Sequence, residues 1–172
     1  MEIRERFSVA QADLPEALAE LKQTNSILEC VIAGTCNRTE IYAVVDRAHV
    51  CGHYIKSFME KWFGVPREQF SPHLYIYQEE QALEHLFRVA SGLDSMVIGE
   101  TQILGQIRDS FLLAQSLGTT GTFFNTLFKQ AVTMAKRPIP KLPSERTRFP
   151  SAMRLWSWAS GFSAATTTRR SC

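Results

Sequence analysis

Residues 27 to 45 read ILECVIAGTCNRTEIYAVV. Two runs rich in β-formers, 27 to 34 and 40 to 45, flank a polar TCNRT segment whose residues suit a turn or loop, so two strands are expected to meet there. Cys36 and Arg38 then sit at the junction of the strands, at the rim of a sheet.

Outward from this stretch the periodicity changes to helical. Leu14, Ala17, Leu18 and Leu21 share one face of a helix predicted over 12–24, which Asp13 and Pro15 open. After the strands, HVCGHYIKSFMEKWF predicts a helix over 49–63 stopped by GVP, and HLYIY a short strand. Three further helices are expected: 79–91 with Leu83, Leu86, Phe87 and Ala90 inward, 100–117 with Ile103, Ile107 and Ala114, and 121–136 with Phe124, Leu127, Phe128 and Ala131. The order α-β-β-α-β-α-α-α gives an α+β fold, a small sheet packed with helices.

From 138 the character changes to PIPKLPSERTRFPSAMRLWSWASGFSAATTTRRSC, with early prolines, a Thr run and no sustained period. A disordered tail is expected there. The chain of 172 residues can build one ordinary core with 45% hydrophobic residues, and its net charge of +2 is too small to argue for nucleic acid by itself. No apolar run approaches the roughly 20 residues that span a bilayer, and the charged start MEIRERF lacks a secretion segment, so a cytoplasmic location without membrane contact is expected. Cys30, Cys36, Cys51 and Cys172 show no metal-binding spacing and no disulfide density. Free thiols and no metal are expected.

Cys36 is a candidate nucleophile because a thiolate attacks readily and the Arg38 cation two residues on would favour it; the competing reading is a small apolar filler at a strand end. Cys30 and Cys51 read as fillers. His85 lies next to the apolar stripe of its helix, where it either caps the core edge or reaches a cleft and moves protons. In SGLDSMVIGETQILGQ, residues 91 to 106, Ser95, Glu100, Thr101, Gln102 and Gln106 supply many polar groups between glycines. Gln102 and Gln106 share a helical face beside Ile103 and Ile107, a placement suited to gripping a polar substrate.

Three blocks in order, TCNRTEIY, HLFRVASGLDSMVIGETQILGQ and LFKQAVTMAKR, resemble the catalytic domain of bacterial glutamyl-tRNA reductases over residues 1 to about 137. The resemblance implies that Cys36 attacks the activated glutamyl ester of tRNA to give a thioester, which NADPH reduces to glutamate-1-semialdehyde for tetrapyrrole synthesis. It implies substrate contacts at Thr35, Cys36, Asn37, Arg38, Ser95, Glu100, Thr101, Gln102 and Gln106, with Arg38 on the γ-carboxylate, and an activity role for His85. Implied partners are glutamyl-tRNA, a second subunit of a homodimer, and the aminomutase that takes up the semialdehyde.

Two departures stand beside the resemblance. The family carries a strand before the EIRE segment, which here follows Met1 directly, so a neighbouring strand is expected to become an exposed edge. Family members also continue differently after the Lys136–Arg137 pair, towards a nucleotide-binding domain. Codons for 138 onward, shifted by one nucleotide, can encode that continuation, which implies an out-of-frame, unstructured tail over 138–172 without an NADPH site. The alternative expectation is an inactive or tRNA-binding-only fragment.

Overall fold

The computed structural model describes residues 7–34, 39–47, 50–92, 101–135 and 162–167. Helix α1 (Leu14–Gln23) leads into strands β1 (Ile27–Gly34) and β2 (Thr39–Val45), followed by α2 (Cys51–Phe63) and a short α3 (Arg67–Phe70) with a 3-10 turn. Strand β3 (Leu74–Gln78), helices α4 (Glu79–Ala90), α5 (Thr101–Ser116) and α6 (Thr122–Ala135), and strand β4 (Phe162–Thr167) complete the described chain. The fold is α+β, as the sequence pattern predicts.

Local chemistry explains the boundaries. Pro15 sits in the first turn of α1, where a missing N–H costs nothing, with Glu16 beside the positive helix end. Helix α2 ends at Gly64, whose φ of 62° lies in the left-handed region that a residue without Cβ adopts readily. Arg67 then anchors the exit of α2, its guanidinium 2.9 Å from Glu60 and its backbone N–H donating to the same carboxylate.

The sheet runs β1-β2-β4-β3, and every adjacent pair is antiparallel. β1 and β2 pair from Gly34 opposite Thr39 to Ile27 opposite Val45, with a bulge between Ile27 and Glu29. The outer side of β1 is not left bare: Cys30 N donates to Thr119 O at 2.9 Å and Thr119 Oγ1 returns a bond to Cys30 O at 3.0 Å.

Alternation along β2 divides the core into two layers. Glu40 and Tyr42 meet α4 and α6, through His85 and Phe128 respectively. Thr39 turns to the other side, where its hydroxyl donates to Phe7 O at 2.6 Å. Phe7 there packs edge-on against Phe63 and Phe70 at 4.9 and 5.4 Å. On the first side Phe128 stacks on Phe111 at 5.1 Å and meets Phe124 edge-on at 5.4 Å. Truncating Phe128, fully enclosed, removes a side chain whose loss costs about 3–5 kcal/mol.

Two expectations change. A neighbouring strand is expected to become an exposed edge, whereas β2 is paired from Thr39 to Val44 with Phe162–Thr167. The tail expected to lack structure therefore contributes at least that strand, because FSAATT combines β-formers with small residues and an unpaired row of backbone groups in mid-sheet is costly. The short α3 and its 3-10 turn were also not anticipated; residues 67–73 are too few to show a helical period.

Candidate functional site

The polar centre of the described structure lies where α4 crosses the sheet. β3 runs straight into α4, with Glu79 at φ 51° making the sharp turn, and this folds the helix back over the strand it follows. Helix α4 buries Ala82, Leu83, His85, Leu86, Phe87, Val89 and Ala90. His85 thus belongs to the packed face, whereas the sequence pattern puts it beside the apolar stripe, capping the core edge or reaching a cleft.

Nε2 of His85 stands 2.9 Å from Oε2 of Glu40 on β2. The imidazole also stacks on Tyr77 of β3, with ring centroids 4.7 Å apart and planes inclined by 27°. Glu40 is fully buried and His85 is 6% exposed. A carboxyl group survives such burial only with partners, and the His85 imidazole at Nε2 supplies one. The contact at Nε2 fixes the ring's orientation and leaves Nδ1 as the nitrogen that does not face Glu40. The arrangement can position an imidazole and move a proton through it.

In the sequence Glu40 marks only the start of a β-run. Its signal was nonetheless present: a carboxylate at the start of an otherwise apolar strand must be exposed or paired. Tyr77 had no comparable signal, since an aromatic residue in a short strand is ordinary.

Of the residues singled out from the sequence, Thr35, Cys36, Asn37, Arg38, Ser95 and Glu100 lie outside the described residues. Thr101 opens α5. Gln102 on α5 is exposed, and Gln106 is half-buried, with Ile103 and Ile107 in the core between. The Gln106 Oε1 atom is enclosed, and among the described residues no donor reaches it. Such an acceptor has cost without return unless a ligand or a group outside the described set supplies a proton.

Cys30 and Cys51 are both buried and in no disulfide. Burial pushes the Cys30 thiol up to about 12, outweighing the nearby Lys22 cation and the Thr119 hydrogen bond. A thiol held that firmly protonated fills space and does no chemistry near neutral pH. Among the described residues no three His, Cys, Asp or Glu side chains gather as metal ligands, and no helix is long and apolar enough to cross a membrane.

Comparison with known proteins supplies the frame for this geometry. Residues 1–139 match the family described as glutamyl-tRNAGlu reductase, N-terminal domain. A glutamyl-tRNA reductase of Paenibacillus macerans is 67% identical over 137 residues, 80% of this chain and 31% of that protein. One from Brevibacillus brevis is 63% identical over the same length, covering 80% of this chain and 30% of the relative. One from Priestia megaterium is 60% identical, covering 80% and 31%. The chain thus spans about a third of the length of these relatives.

Proposed function

This chain belongs to the glutamyl-tRNA reductase family through its N-terminal domain, and on that premise we propose that it performs the acyl-transfer half of that chemistry, with Cys36 as nucleophile and His85 as the imidazole that serves it. The observation that carries this reading is the buried Glu40–His85 pair, 2.9 Å apart, with Glu40 on the strand that begins three residues after Cys36 and His85 on α4.

In the proposed step, the Cys36 thiolate adds to the ester carbonyl of glutamyl-tRNA. A C–S bond forms, the C–O bond to the terminal ribose breaks, and the departing ribose oxygen takes up a proton. Glu40 holds His85 in one orientation, and the ring nitrogen that does not face Glu40 is suited to take the Cys36 thiol proton and pass it to the departing ribose oxygen, or to orient the groups around the thioester. Arg38 pairs with the substrate's side-chain carboxylate, and Thr35 and Asn37 flank the nucleophile. Ser95, Glu100, Thr101, Gln102 and Gln106 contact the glutamyl group, with the enclosed Oε1 of Gln106 available to accept from an ammonium or hydroxyl.

The family's products feed tetrapyrrole synthesis, and the complete reaction uses NADPH as hydride donor. The described residues do not fit that cofactor. Nucleotide folds place glycines and a pyrophosphate where a strand of a parallel sheet enters a helix, whereas the described sheet is antiparallel throughout and β3 leads into α4 through Glu79 and Glu80, whose charge repels phosphate. No step is therefore assigned to a nicotinamide here. Glutamyl-tRNA is the proposed partner; a homodimer and transfer to an aminomutase belong to the proposal for the longer family members.

The test is deacylation of glutamyl-tRNA by the full chain, by Cys36→Ser and by His85→Asn. The proposal expects tRNA release by the unaltered chain, loss with Cys36→Ser, and slowing of about 10²-fold or more with His85→Asn, the usual size of a proton-transfer contribution. Equal release by all three overturns it, and so does release by none.

A further inference from the structure

The strand at the centre of the sheet is the one that the family does not share. The family match ends at residue 139, yet Phe162–Thr167 lies between β2 and β3 and pairs with both. Among the described residues β2 and β3 are joined through β4 and not to each other. Take β4 away, and the two strands face one another across two strand spacings, roughly 10 Å, with a row of unpaired N–H and C=O groups on each side.

That gap has defined chemistry. Both of its edges run in the same direction, so one extended segment antiparallel to both satisfies them together. Main-chain hydrogen bonds supply the affinity in this form of recognition, and the demand on sequence is modest: β-forming residues, no proline. FSAATT meets it with small residues, and 26 residues of sequence, 136 to 161, separate it from the end of α6 at Ala135.

We infer that the gap between β2 and β3 is a strand-acceptor site, and that Phe162–Thr167 occupies it as a tethered, replaceable guest. The site is coupled to the imidazole above it. Glu40 lies opposite Thr166 and Tyr77 opposite Ala164, so Glu40 and Tyr77, which both contact His85, come from strands on either side of the guest. Filling the gap sets the distance between Glu40 and Tyr77 and assembles the His85 cradle; vacating it releases one from the other. The inference stands or falls independently of the acyl-transfer reading.

The test uses the full chain, its Ala164→Pro variant, and a fluorescent peptide of sequence ASGFSAATTTRR. Proline removes a ladder N–H and unseats the guest, whereas in the unaltered chain the tethered segment competes at a millimolar effective concentration. The peptide is expected to bind the Ala164→Pro chain at least roughly tenfold more tightly than the unaltered one. Equal binding to both, or binding to neither, overturns the inference. Amide hydrogen exchange over Leu74–Gln78 gives a second reading that does not need the variant to bind peptide: these amides should exchange slowly in the unaltered chain and faster in Ala164→Pro. Equally fast exchange in both means the segment does not hold the gap, and the inference fails.

Discussion

Glu40 Oε2 and His85 Nε2 lie 2.9 Å apart with both side chains buried, one from the second strand of the sheet and one from the helix that crosses it. Breaking a buried pair by removing one partner costs about 3–5 kcal/mol, because the other group is left enclosed without its match. Glu40→Ala and His85→Ala should each lower unfolding free energy by an amount of that order, and the double variant by at least ~1 kcal/mol less than the sum. Denaturant unfolding of the four proteins measures it; strictly additive losses contradict the contact.

Glu29 caps a helix that has no acidic residue of its own in its first turn. Its oxygens accept from Phe123 N at 3.2 Å and Phe124 N at 2.8 Å. A Cβ at Gly121 would stand 2.6 Å from Glu29 Oε1 and 2.9 Å from its Cδ, pushing the carboxylate off the helix end. Gly121→Ala and Glu29→Ala should each cost about 1 kcal/mol, the usual value of a lost cap. Because both remove the same interaction, the pair together should cost little more than either alone. Thermal denaturation distinguishes this from additivity.

Burial raises the Cys30 thiol from 9.0 to about 12. The unfolded chain therefore releases this proton first as pH rises, so the contribution to stability is whole below pH 9 and is lost as pH climbs towards 12. Between those values the unaltered chain should lose stability more steeply than Cys30→Ala, by at most ~1.4 kcal/mol per pH unit. Parallel curves from urea unfolding at several alkaline pH values contradict the burial of an ionisable thiol.

Glu79 carries φ 51° at the turn from β3 to α4. A residue with a Cβ pays roughly 1–2 kcal/mol there, which glycine avoids. Glu79→Gly should raise the melting temperature, offset in part by the loss of a negative charge at the helix N-terminus. A fall in melting temperature means that the charge outweighs the strain.

Most of the elements were legible because each one's residues report on its own geometry. The period of Leu14, Ala17, Leu18 and Leu21 marks α1, and the breaks at Gly34 and GVP mark strand and helix ends, within one or two residues of the observed bounds. Strand order was not legible, since it depends on which segments find each other in space. FSAATT has neither the length nor the alternation to announce a central strand, and its place follows from the unmet hydrogen bonds of β2 and β3. The same holds at the site. His85 could be named from its residue type, but its burial follows from Glu40, whose partner lies 45 residues further along the chain. The assigned roles of Thr35, Cys36, Asn37 and Arg38 rest on the motif TCNRT alone.

The acyl-transfer account is tested most directly by finding where the glutamyl group goes. The full chain, mixed with glutamyl-tRNA and quenched in acid, should yield on digestion a peptide spanning Cys36 that carries one glutamyl group, removable by neutral hydroxylamine as thioesters are. Glutamate recovered only in free form or still on tRNA, with that peptide unmodified, contradicts the account.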